Sequence, residues 1–157
     1  MSRPTITQAN GTFWLTCRAE IDIRAGQESV WDILTDADAY SRWNSTISRV
    51  EGQIREGERL RLHVPGTSRT FAPTVRDVVP AVRMSWVGGF APLFKGVRTF
   101  NLSRARPGWT TFAMEERFSG LLIPLVKGSM PDFGPIFASF ATDLQHAAER
   151  QLAPSAT

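Results

Sequence analysis

The chain predicts an α+β fold in which a curved, seven-stranded antiparallel sheet wraps around one long C-terminal helix. Three observations point there. Residues 13–24 alternate strictly between apolar and polar, the pattern of a half-buried strand. Glycine and proline then punctuate a series of short alternating runs, as in antiparallel sheet. After Pro131 the apolar period changes from two to three and four, which is helical.

In the first strand, Phe13, Leu15, Cys17, Ala19, Ile21 and Ile23 share one face, with Thr16, Arg18, Glu20, Asp22 and Arg24 opposite. Gly26 ends it. Residues 27–35 then read as a short helix with Val30, Ile33 and Leu34 on one stripe, and residues 36–41 as a second short turn before Trp43 and Asn44. Six further strands are expected at 47–51, 59–64, 69–78, 83–87, 95–102 and 110–118. The closing helix carries Phe133, Ile136, Phe137, Phe140, Leu144, Ala147, Ala148 and Leu152 on its apolar stripe. Its regular part starts between Pro131 and Pro135, since proline is tolerated only in the first turn. Such a stripe must be buried, and one face of the sheet is the only element large enough to cover it.

Length and composition fit one domain. The chain has 157 residues, 42% of them hydrophobic, enough for a sizeable core or a smaller one around a cavity. Residues 1–12 are expected as an N-terminal tail, 13–152 as a single ligand-binding domain and 153–157 as a C-terminal tail. The formal charge is +3, from 18 basic and 15 acidic residues. Scattering of the basic residues among the acids argues against a nucleic-acid partner. Cys17 is the only cysteine, so there is no intrachain disulfide, and small core filler is its expected role. The start carries no apolar signal segment, and the longest apolar run, residues 121–126, is too short to span a bilayer. A cytoplasmic location is expected.

The candidate site comes from pairing the last two strands through the turn at 105–108. The register that sets Leu102 against Phe112 also sets Phe100 against Met114 and Arg98 against Glu116. Cross-strand partners stand about 5 Å apart, close enough for an arginine–carboxylate fork. If this face is the concave one, an ion pair points into an otherwise apolar space, walled by Trp86, Phe100, Met114, Phe137, Phe140 and Leu144. A structural salt bridge, a polar anchor for a ligand and an acid/base pair all remain open. Tyr40, Trp43 and Asn44 are placed to reach the cavity mouth. The greasy stretch from Gly120 to Gly128, with Leu121, Leu122, Pro124 and Leu125, should not face water without a reason. It reads as a lid, a membrane-touching tip, a dimer contact or a segment packed on the long helix. His63 and His146 both fall on polar faces, so no zinc-type cluster is expected. There is no nucleophile elbow, phosphate loop or dinucleotide fingerprint either. No cofactor or metal is expected.

The chain resembles the SRPBCC superfamily, the helix-grip group that includes START lipid-transfer domains and polyketide cyclases. The residues that carry the resemblance are Ile23-Arg24-Ala25, Val30 to Asp36, Tyr40-Ser41-Arg42-Trp43-Asn44, Arg83-Met84-Ser85-Trp86 and Glu116 to Leu122. It covers roughly residues 13–150 and is nearest the polyketide cyclase/dehydrase-like and carbon monoxide dehydrogenase-related branches. What it implies is binding of a hydrophobic small molecule or lipid in an internal cavity, with Leu121 to Val126 as a gate. It leaves open whether the chain is a carrier, a cyclase- or dehydratase-like enzyme acting through Glu116 and Arg98, or a lipid- or partner-binding module using the apolar loop. It also leaves open whether the chain is a monomer or a dimer.

Overall fold

Ten alternating residues from Trp14 to Ile23 form the strand around which the sheet is built. The computed structural model describes residues 2–152; the tail expected at 153–157 lies outside the described residues. The order is β1 (Thr5–Asn10), β2 (Trp14–Ile23), α1 (Gln27–Thr35), a 3-10 turn (Ala37–Ala39), α2 (Tyr40–Trp43), β3 (Arg49–Glu51), β4 (Arg61–His63) and β5 (Thr70–Phe71). It continues through β6 (Thr74–Val79), β7 (Arg83–Phe90), β8 (Phe94–Arg106), β9 (Trp109–Ser119), α3 (Ile123–Val126), a second 3-10 turn (Lys127–Ser129) and α4 (Phe133–Leu152).

The fold is α+β, with antiparallel sheet against the long C-terminal helix, as expected. The strand count differs. Six strands form one sheet in the order β1-β2-β9-β8-β7-β6, and β3-β4-β5 form a second. Backbone hydrogen bonds from Gly57, Leu60 and Val75 join the segment before β4 to the edge strand β6, so the small sheet continues the large one around the bend. Two departures have physical reasons. Residues 5–10, expected as tail, pair along their whole length with β2, Thr5 opposite Glu20 and Asn10 opposite Leu15. The strand expected over 69–78 is broken at Ala72-Pro73, because proline cannot donate to a ladder.

The concave face is ordered in rows across the strands, because side chains alternate with a period of two. One row runs Leu102, Phe112, Ile21; the next Met84, Phe100, Met114, Ala19; the next Trp86, Arg98, Glu116, Cys17, Gln8; and the last Gly88, Gly96, Phe118, Leu15. Against them α4 lays Phe133, Phe137, Phe140, Ala141 and Leu144. Asp132 accepts the Gly134 backbone N–H at the start of that helix and a second hydrogen bond from the Gln8 side chain at 3.0 Å. Both bonds hold its carboxyl below the usual range, and together they pin β1 to the helix start.

Candidate functional site

The hairpin β8–β9 has the register expected of a connection at 105–108, with a one-residue shift between Arg104 and Arg106. Leu102 faces Phe112, Phe100 faces Met114, and Arg98 faces Glu116. Arg98 donates from Nε to Glu116 Oε2 at 2.6 Å, a single charge-assisted bond rather than a fork. The side chains are 17% and 14% exposed, so the pair is mostly desolvated yet not sealed. The Arg98 guanidinium also lies 5.1 Å from the centre of the Phe137 ring, within cation–π range.

The other expected wall residues come together, but as a closed core. Trp86, Phe100, Met114, Phe137, Phe140 and Leu144 are all buried. Trp86 meets Phe100 edge-on at 4.7 Å, and Phe140 stacks on Phe112 at 6.1 Å. Two open hollows lie elsewhere. One of about 550 Å³ is lined by Glu51, Gly52, Arg59, Leu60, Arg61 and Ala72. The other, of about 400 Å³, lies between α1, α2 and α4 beside Asp32, Arg42, Trp43 and Arg150. Past the ion pair Gly88 and Gly96 sit opposite each other, the Phe118 ring packs over Gly96, and Phe94, Phe118 and Phe133 are half-buried. A Cβ at Gly96 would stand 3.2 Å from the Phe118 ring and 3.5 Å from Glu116 Oε1, so the glycine makes room for that ring beside Oε1, while Oε2 is held by Arg98.

Tyr40, expected at a cavity mouth, is fully buried and donates to the Leu34 carbonyl at 2.6 Å; burial pushes its phenol far up. Asn44 is also buried, its Oδ1 accepting from Thr46 N, Thr46 Oγ1 and Ile47 N. Tyr40 ties the start of α2 back to α1, and Asn44 fixes the bend after α2. Phe71 is 55% exposed on the short strand β5. The two histidines also depart from expectation. His63 is half-buried against Glu51 at 2.7 Å, and His146 Nε2 is buried, because α4 is covered by α1 and β1 as well as by β2.

Cys17 sits in the row of the ion pair, opposite Glu116. Burial pushes its thiol up to about 11, with the nearby Asp132 carboxylate adding to the rise. Since the thiolate is the reactive form, Cys17 stays unmodified by iodoacetamide at neutral pH in the folded protein and reacts only after denaturation, as intact mass will show.

The apolar stretch is not a plain loop. Gly120 donates to the Phe13 carbonyl, Leu121 to the Pro92 carbonyl and Leu122 to the Leu93 carbonyl, each at 3.0 Å. These bonds tie the stretch to the β1–β2 turn and to the tip of the β7–β8 hairpin. Gly120 has φ +137°, and any side chain there would run into the Leu93 carbonyl, so glycine is required at the junction. Ile123 plugs the core, while Leu121 and Leu125 face out.

Residues 15–153 match the family described as polyketide cyclase/dehydrase and lipid transport. The chain belongs to this family. Solved structures agree on the fold at low identity. A START superfamily protein from Mycobacterium smegmatis is 20% identical, with 88% of this chain and 99% of that one covered, at a TM-score of 0.64. The ZhuI aromatase/cyclase from Streptomyces sp. R1128 is 16% identical, covering 90% and 98%, at 0.69. Protein MLL2253 from Mesorhizobium loti is 21% identical, covering 86% and 97%, at 0.69. No curated protein sequence matches the chain. Among the described residues no helix is long and apolar enough to cross a membrane.

Proposed function

We propose that this polyketide cyclase/dehydrase and lipid transport family member binds a hydrophobic small molecule with one acidic or polar group, held at the half-buried end of the grip between sheet and α4. One observation carries the reading: a mostly buried ion pair, Arg98–Glu116, on a face that is otherwise apolar, next to the half-buried Phe118 and Phe133. Taking two charges out of water costs several kcal/mol, and apolar replacements often serve stability as well or better. The pair therefore suits recognition. Arg98 offers donors in a rigid planar array to an anionic or carbonyl oxygen, with Phe118, Phe133 and Phe137 supplying apolar contact.

A titration with a long-chain fatty acid and its methyl ester tests this. The acid is expected to bind at least about tenfold more tightly than the ester, the difference one charge-assisted hydrogen bond gives, and Arg98→Met should erase the gap. Equal binding of the two forms, or none of either, overturns the proposal.

A second reading has an observation of its own in Glu116, whose Oε1 lies next to Gly96 and the Phe118 ring while Oε2 is held by Arg98. A carboxylate so oriented could move a proton in cyclase- or dehydratase-like chemistry. On that reading Glu116→Gln abolishes turnover of a polyketide-type substrate, and surviving activity removes Glu116 from the role.

A further inference from the structure

We infer that the end of the molecule formed by the β1–β2 turn, the β7–β8 hairpin tip and the α3 segment docks on an anionic phospholipid bilayer. The inference stands apart from the ligand reading, since it rests on the outer surface alone. Leu125 is 80% exposed, Phe90 65%, Leu121 57%, Phe13 50% and Leu93 39%. These belong to three separate segments, yet the backbone bonds from Gly120, Leu121 and Leu122 join the segments into one platform. Lys127 adds a tie, donating to Asn10 Oδ1 at 2.6 Å. Large apolar side chains gathered on a fixed platform mark a contact surface.

Charge identifies the occupant. The segments 9–14, 88–97 and 117–131 contain Lys95, Arg117 and Lys127 and no aspartate or glutamate. They hold both lysines of the chain and a charge equal to the whole chain's net +3. The next carboxylate along, Asp132, is already bonded to Gln8 and the Gly134 N–H. Trp14, half-buried under the Arg117 guanidinium at 4.9 Å, is the amphipathic ring type that favours the headgroup level. Apolar residues ringed by cations match a negatively charged lipid surface. A second copy of the chain fits poorly, because a two-fold interface would set the same cations against themselves.

Flotation with vesicles of phosphatidylcholine plus phosphatidylglycerol, against phosphatidylcholine alone, tests the inference. The protein is expected to float with the mixed vesicles at low salt and to be released at high salt. Leu121→Ser with Leu125→Ser should cut binding at least about tenfold, since both insert apolar surface. Lys95→Glu, which breaks no hydrogen bond described for the wild type, should cut it roughly thirtyfold, at about a fivefold effect per unit charge. Thermal melts of both variants confirm that they remain folded. Failure of the wild type to float with either vesicle overturns the inference. So does undiminished binding by folded variants, or a dimer in sedimentation velocity that Leu125→Ser disperses while no vesicle is bound.

Discussion

Arg98→Met lowers the stability of this protein by about 2–4 kcal/mol, because it leaves the Glu116 carboxylate in a largely apolar pocket without its donor. The figure sits toward the low end for broken buried pairs, since the two side chains are still 17% and 14% exposed and water retains some access to the stranded charge. Glu116→Leu should cost a similar amount for the mirror reason, with an unpaired guanidinium left against Phe137. The double variant Arg98→Met with Glu116→Leu is the informative one. Apolar side chains of similar reach would fill the row between Trp86 and Cys17, and stability is expected to return to within about 1 kcal/mol of the wild type or to exceed it. Urea midpoints at unchanged slope give the comparison. Recovery of stability together with loss of fatty-acid binding would mean the pair is retained for what it holds rather than for the fold. A double variant as unstable as the sum of the singles would make the pair structural.

The pairing of Arg98 with Glu116 was legible because register propagates. Once the four-residue connection 105–108, with its one-residue shift between Arg104 and Arg106, is allowed for, each partner further along the hairpin follows. The amphipathic stripe of α4 was legible for a similar reason, being long and regular. Strand β1 was not, because its core-facing side reads Ile6, Gln8, Asn10, and only the first is apolar. Gln8 is polar there because it bonds Asp132, a contact 124 residues away in the chain that no local pattern reveals. A signal did exist: Asn10-Gly11 closes Thr5–Asn10 three residues before Trp14–Ile23 resumes the sheet, and that dipeptide is a turn marker. Tyr40 misleads because its polar tip suggests a wet location, whereas the Leu34 carbonyl satisfies the hydroxyl inside the core. The openness of the grip could not be read at all. Which aromatic side chains fill the interior and which, like Phe118 over Gly96, stay half-buried depends on how far α4 lies from the sheet, a quantity with no local pattern.

That distance makes Phe140→Ala the most costly single change expected. Phe140 is the hub of the aromatic cluster, with ring centres 5.6 Å from Trp43, 5.9 Å from Phe100, 6.1 Å from Phe112 and 6.5 Å from Tyr40. Removing a fully buried phenyl ring forfeits its transfer free energy and leaves a void where neighbours on three elements cannot close in, about 3–5 kcal/mol in all. Against a total of roughly 5–15 kcal/mol for a small domain, the variant should melt well below the wild type. Phe133→Ala, made at the half-buried end of the same helix, should cost clearly less, because its ring borders solvent and little cavity would form. The contrast between the two, read as urea midpoints, locates the rigid and yielding parts of the grip. If instead Phe140→Ala costs no more than Phe133→Ala, the helix can settle onto the sheet along its whole length. A ligand would then enter by lifting α4 rather than past the half-buried end beside Glu116.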